Sequence, residues 1–309
     1  MHPPPRFSRA TMDGVLNIDK PAGITSFGVV AAVRRLAGQR RVGHGGTLDP
    51  AATGVLPLFL GKATRIIEYL AGLPKEYRAE VVFGLVTDTY DTTGRVLEQR
   101  DASALTRRAV EDALGQFRGT IHQTPPLFSA IKQDGVPLYR LARAGVTVPV
   151  RARRVEIYRL ELEDWRPPVA VLRVTCGRGT YLRSLAHDLG QALGCGASLQ
   201  HLVRTRYGPL GLAGAVPLAR LEADGPGPHL QPMDALLGHL PPAVLPDALA
   251  EPVSFGRSVP LEGSTVPPDC TLARAYTQDG RFLAVLRRRE IDLWHPEKVF
   301  VTAGGAGPA

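Results

Sequence analysis

The chain has 309 residues, 44% of them hydrophobic, and a formal net charge of +8. That length suits two folding units. No run reaches the roughly 18 apolar residues of a membrane-spanning helix, and Cys176, Cys195 and Cys270 form no CxxC pair, which excludes a zinc ribbon and argues against a disulfide framework. The positive balance favours a polyanionic partner such as nucleic acid.

The opening "MHPPPRFSRA" has no apolar core of a secretory signal and reads as a tail over residues 1–12. "GVLNI", residues 14–18, predicts a short strand ending at the turn "DKPAG". Thr25 or Ser26 can cap a helix whose apolar face is Val29, Val30, Val33, Leu36 and Ala37, closed by Gly38. The loop "QRRVGHGG" follows, and "KATRIIEYLAG" predicts a second short helix ending at Gly72. In "KEYRAEVVFG" the alternation of Tyr77, Ala79, Val81 and Phe83 predicts a half-buried strand. "SALTRRAVEDALGQF" predicts a helix capped at Ser103. "VRARRVEIYRLELEDW" and "VAVLRVTCG" predict long adjacent strands, and "TYLRSLAHDLGQALG" an amphipathic helix facing inward through Leu182, Leu185, Ala186, Leu189 and Leu193. Strands and helices without a βαβ repeat predict an α+β fold. Residues 222–244 are rich in proline and glycine, as a linker is. Beyond them, short strands around the turn "QDGR" predict a small, separable all-β unit over 245–309.

Two stretches draw attention as chemistry. In "GHGGTLDPAATGVL" three glycines surround His44, and Pro50 forces Asp49 toward an extended conformation. The glycines permit positive φ or close backbone approach. On those local features alone an ordinary Asp-Pro turn is the plainer reading. In "GRGTYLRSL", Arg183 sits in the first turns of a helix, where a solvated arginine is the plainer reading. Tyr77 alone would be a core aromatic. His44 has no second ligand at metal spacing, so no metal site is expected. The sequence lacks G-x-S-x-G, G-x-x-x-x-G-K-[ST] and G-x-G-x-x-G, which removes the usual hydrolase elbow and nucleotide cradles.

Six blocks occur in order: "NIDKPAGITS", "GHGGTLDPAATGVLPLFLGKATR", "KEYRAEVVFGLVTDTYDTTG", "PPLFSAIKQDGVPLYRLARAG", "GRGTYLRSLAHDLG" and "LVRTRYG". Together they resemble the TruB family of tRNA pseudouridine synthases, collinearly from about residue 13 to 212. The C-terminal part, ending "WHPEKVF", more faintly resembles a PUA RNA-binding module. The departures are Gly45 where Thr or Ser is common, Arg178 where Lys is common, and Val203 for the first Arg of an L-R-R pattern.

The resemblance implies a pseudouridine synthase fold over 13–221, with a central mixed, largely antiparallel sheet flanked by helices, and a PUA-like domain after the 222–244 linker. It implies that uridine 55 of the tRNA T loop is isomerised after flipping out of its stack. Asp49 becomes the nucleophile, Arg183 its partner and Tyr77 the base-stacking residue near the departing C5 proton. Substrate or RNA contacts are implied at His44, Lys20, Asp91, Tyr181, Leu202 and Arg204. Arg140, Arg143, Arg151, Arg153 and Arg154 would meet phosphates. The reaction adds no group and no electrons, so no cofactor is expected. The partner is tRNA through its T arm, with no obligatory protein partner, and the enzyme is expected as a cytoplasmic monomer. Two other readings stay open: action on another RNA, as in a guided complex, and a non-catalytic RNA-binding or RNA-folding protein.

Overall fold

The expected first strand forms as β1 (Gly14–Lys20), buried along nearly its whole length. The computed structural model describes residues 11–301 apart from 130, 134, 145, 147 and 262–265, so most of the expected tail lies outside the described residues. Thr25 caps α1 (Ser26–Ala37) by accepting from the Gly28 amide at 2.9 Å, and Gly38 ends it in the left-handed region at φ 63°. β2 (Val42–His44) and β3 (Thr53–Leu60) follow. The helix expected next is a 3-10 helix, Gly61–Leu70, rather than an α-helix. Tertiary contacts tie it in place. Asp13 accepts from the Lys62 amide at 2.6 Å, and the Lys62 and Arg65 side chains donate to the carbonyls of Phe300 (2.9 Å) and Val299 (2.6 Å). Ala63 and Ile66, three residues apart, then fall on one buried line, as a three-residue turn requires.

β4 (Lys75–Phe83) keeps the predicted alternation. β5 (Leu85–Thr87) and β6 (Val96–Gln99) form a hairpin around a polar loop. α2 (Arg107–Leu114) starts later than expected. Thr106 caps it by accepting from the Ala109 amide, while Ser103 is engaged by the Asp101 carboxylate at 2.8 and 2.9 Å. Then come β7 (Gly119–Gln123), the minimal pair β8 (Lys132–Gln133) and β9 (Val136–Pro137), and α3 (Leu138–Arg143). The predicted long strands are β10 (Arg153–Arg166) and β11 (Val169–Cys176), paired antiparallel. α4 (Leu182–Ala192) leads into β12 (Ala197–Tyr207), β13 (Leu210–Gly211), β14 (Val216–Pro217) and α5 (Leu218–Asp224).

Among the described residues these strands build one sheet of ten, ordered β14-β1-β3-β12-β4-β11-β10-β7, with β2 on β3 and β13 on β12. Only the β1–β14 and β3–β12 pairings are parallel, so the sheet is mixed and largely antiparallel. Val29 and Val33 of α1 and Leu185 and Leu189 of α4 pack into the core beside Leu56, Ala79 and Leu172 of the sheet. The β12–β4 junction sits at the middle of this order. It brings together two chain segments that carry site residues.

A second sheet starts at β15 (Pro242–Leu245), inside the stretch expected to be linker. With β16 (Val259–Pro260), β17 (Leu272–Thr277), β18 (Phe282–Arg288) and β19 (Leu293–Val299) it is ordered β15-β17-β18-β19-β16 and packs against α6 (Asp247–Ser254). The "QDGR" turn joins β17 to β18, with Gly280 at φ 82°. Residues 222–244 are folded rather than extended. Leu236 and Leu237 are fully buried in a cluster that includes Ile66, Leu70 and Tyr207 on one side and Phe282, Val285 and Phe300 on the other. Proline and glycine there limit the length of regular elements, not the packing.

Candidate active site

A cleft of about 680 Å³ opens between the first turn of α1, the loop after β2, strands β4 and β12, and the loop joining β11 to α4. Its focus is Asp49. The turn carrying Asp49 is fixed from behind. Ser26 donates to the Leu48 carbonyl at 3.0 Å and accepts from the Leu48 amide at 2.8 Å. Lys20 is fully buried, and its ammonium donates to the carbonyls of Pro21 (2.8 Å), Pro50 (3.2 Å) and Ala52 (2.7 Å). Three donors meet three acceptors. Burial draws the Lys20 pKa down to about 8, while the Asp49 charge opposes that shift.

The glycines before Asp49 are not used for unusual backbone angles. Gly43, Gly45 and Gly46 all lie outside the positive-φ region. A Cβ on Gly45 would come within 3.1 Å of the Phe59 ring, and one on Gly46 within 3.6 Å of Tyr207. A Cβ at Gly46 would make only ordinary contact, whereas the missing side chain at Gly45 lets this loop lie close against β3. Arg204 and Tyr207 then grip it: Arg204 donates to the Val55 carbonyl at 2.6 Å and the Gly46 carbonyl at 3.1 Å, and the Tyr207 hydroxyl donates to the Gly45 carbonyl at 2.9 Å. Strict alternation would send Arg204 and Tyr207 to opposite faces. A register shift between Arg204 and Arg206 in the β12–β4 pairing brings both to the loop.

Arg183 pairs with Asp49: Nη2 donates to Oδ1 at 3.3 Å, and Nε lies 2.9 Å from Oδ2 as an ion-pair contact. The arginine is buried, whereas the Asp49 side chain remains 43% exposed toward the cleft. The same guanidinium donates to the carbonyls of Thr89 (3.2 Å) and Phe128 (2.9 Å) and lies 3.7 Å from the Asp91 carboxylate. Desolvation raises the Asp49 pKa; Arg183 pulls it back, and the Asp91 charge pushes it up again. The net direction is upward. A planar fork suits this position because it serves a carboxylate and two carbonyls at once.

Asp91 is held in the β5–β6 loop by Thr89 and Thr93, whose hydroxyls donate to it at 2.8 and 2.6 Å. Tyr90 between them has φ 64°, rare for a bulky residue. Its ring stacks on His187 with centroids 4.0 Å apart, and His187 lies one helical turn after Arg183. α4 thus holds this loop twice.

The cleft also contains Tyr77, buried on β4 opposite Arg204, with its hydroxyl pKa raised by burial. His44 lines the wall half-buried, and its Nδ1 has no hydrogen-bond partner among the described residues. Burial lowers its pKa. Tyr181 caps α4, its backbone bracketed by the Gln123 side chain at 2.7 and 3.0 Å, and Leu202 adds an apolar wall. Seven of the nine residues expected from the sequence therefore line one cleft, with Lys20 and Asp91 directly behind it. The sequence reading passed over Ser26, Gln123, Phe128 and Tyr207. Ser26, Phe128 and Tyr207 lie in quoted blocks, Ser26 read there only as a possible helix cap, and Gln123 lies outside them; Ser26, Gln123 and Phe128 act through or upon backbone groups. Arg140, Arg151, Arg153 and Arg154 are exposed outside the cleft, and the Arg143 side chain lies outside the described residues.

The N-terminal domain of the TruB family of pseudouridylate synthases matches residues 34–182, and the C-terminal domain of tRNA pseudouridylate synthase B matches residues 183–238. The chain belongs to the TruB family. It is 46% identical over 295 residues to tRNA pseudouridine synthase B of Dehalococcoides mccartyi, covering 94% of this chain and 97% of the relative. It is 51% identical over 248 residues to the protein of that name from Symbiobacterium thermophilum, covering 79% and 82%. Among solved structures, an H/ACA ribonucleoprotein bound to a substrate RNA containing 2′-deoxyuridine is similar with a TM-score of 0.72 at 26% identity, over 94% of this chain and 86% of that one. The two matches abut between Leu182 and Arg183, so one covers Asp49 and the other Arg183.

Proposed function

We propose that this TruB-family pseudouridine synthase converts uridine 55 in the T loop of tRNA to pseudouridine, with Asp49 as the nucleophile. The observation that carries the reading is the Asp49–Arg183 pair facing the same cleft as Tyr77, in a chain so similar to proteins named tRNA pseudouridine synthase B. The target uridine leaves its stack to reach the cleft. The Asp49 carboxylate forms a covalent adduct with the nucleotide as the N1–C1′ bond breaks. The base turns, C5 bonds to C1′, the C5 proton departs and the carboxylate is released. Arg183 keeps Asp49 ionised against burial. Tyr77 supplies a ring for stacking and a hydroxyl near the departing proton. His44, Tyr181 and Leu202 shape the base pocket; Lys20, Arg204 and Asp91 hold the reacting groups in position. Atoms and electrons balance without a cofactor.

The C-terminal sheet is read as a PUA-like RNA-binding module, and the enzyme as a cytoplasmic monomer acting without a protein partner. Similarity to H/ACA ribonucleoproteins favours one competing reading, action on another RNA in a guided complex. Incubating purified protein with bare tRNA transcript and mapping pseudouridine separates the two. Conversion confined to uridine 55, and abolished by Asp49→Asn, is the expected result. No conversion without added protein or guide RNA would overturn the proposal.

A further inference from the structure

Phe27 is 64% exposed, and among the described residues it is the one exposed large apolar side chain that also lines the cleft. Exposed phenylalanines are ordinary on protein surfaces, so exposure by itself carries no argument. Its mounting does. Phe27 follows Ser26, whose hydroxyl exchanges two hydrogen bonds with Leu48, the neighbour of Asp49. Ring and carboxylate are therefore carried on one tied unit. Arg34, two turns further along α1, sets its guanidinium carbon 5.6 Å from the ring centroid and is anchored by donating to the Val42 carbonyl at 2.9 Å. This places a fixed cation against the ring and leaves much of the ring open to the solvent. A cation beside an aromatic ring is a stable arrangement, and it adds positive charge where a phosphate chain would pass.

What enters the cleft has a matching chemistry. Extruding one uridine unstacks the bases next to it, and each base has a flat face that seeks a partner. We propose that Phe27 is a stacking platform for an unpaired nucleobase adjacent to the flipped uridine. This rests on the reading of the chain as a synthase acting on an RNA loop. Stacking on an aromatic side chain tolerates any base, so the platform adds affinity and orientation rather than sequence choice.

The test is equilibrium binding of a T-arm stem-loop to full-length variants, with thermal melting to confirm that each is folded. Phe27→Ala is expected to weaken binding about five- to hundredfold. Phe27→Leu should bind nearly as weakly, because it keeps apolar area but lacks a flat face, and Phe27→Tyr should match wild type. Phe27→Trp adds a reporter whose emission is expected to be quenched as RNA is titrated in. Wild-type affinity in Phe27→Ala, or unaltered emission of Phe27→Trp at saturating RNA, would overturn the platform. Pseudouridine formation by the wild type is scored on the same stem-loop. Failure there strikes the proposed function, whereas normal conversion with unchanged Phe27→Ala binding strikes Phe27 alone.

Discussion

Arg183→Lys keeps a positive charge and removes the fork. In the wild type one guanidinium donates to Asp49 Oδ1 and to the carbonyls of Thr89 and Phe128, and its Nε makes an ion-pair contact with Asp49 Oδ2. A lysine ammonium offers three donors from a single point and cannot span that set. At least two of these interactions are lost. Hydrogen bonds to a charged group contribute about 1.5–3 kcal/mol each, so the loss is about 3–6 kcal/mol. Part of it falls on folding rather than on the transition state. At about 1.4 kcal/mol per tenfold, the expected fall in single-turnover rate is roughly hundred- to thousandfold. A second effect has a definite sign. Burial already raises the Asp49 pKa and Arg183 opposes it. Weaker pairing lets it rise further. On the proposed reading Asp49 acts ionised, so activity is lost as pH falls through its pKa, and the acid limb of the rate profile moves to higher pH. A T-arm stem-loop tritiated at C5 of the target uridine reads the chemistry directly, because that hydrogen leaves for water. A rate within about fivefold of wild type with an unmoved acid limb would refute the assignment of Arg183.

Tyr77→Phe keeps the ring and loses the hydroxyl; stem-loop binding should hold within about threefold while single-turnover rate falls about hundredfold, and an unchanged rate would leave Tyr77 a stacking residue only. The wild-type profile should also show an alkaline limb near pH 8. Lys20 is useful protonated, because its three donors hold three carbonyls around the Asp49 turn, and that match is lost as pH rises through its depressed pKa of about 8; a flat saturating rate from pH 7 to 9.5 would detach Lys20 from the site. Phe300→Ala should cost about 3–5 kcal/mol in urea unfolding, since Phe300 is buried in the cluster shared by both sheets and stacks on Phe282 at 4.9 Å; an unmoved midpoint would show that the C-terminal sheet does not stabilise the rest.

What could be read from the sequence, and what could not, divides along physical lines. β4 and α4 were legible because their burial follows a local period, two in one and 3.6 in the other. The Gly61–Leu70 segment was legible as a helix, but its 3-10 type and its ties to the carbonyls of Val299 and Phe300 have no local pattern to report them. Ser103 looked like a cap until the Asp101 carboxylate claimed it. The 222–244 stretch looked like a linker because composition records missing periodicity, not buried leucines. The site divides in the same way. Asp49, Tyr77 and Arg183 stand out by residue type within ordered blocks, although 134 residues separate Asp49 from Arg183 and only the sheet order brings them together. The residues that fix the Asp49 loop do not stand out. A backbone carbonyl accepts equally from serine, lysine, arginine or tyrosine. Here Ser26, Lys20, Arg204 and Tyr207 hold the carbonyls of Leu48, Pro50, Gly46 and Gly45. The same residue types at the surface would donate to water. Only the register shift in β12 tells the Tyr207 that grips the loop from one that would have pointed away, and a register shift becomes visible only when the neighbouring strand is known.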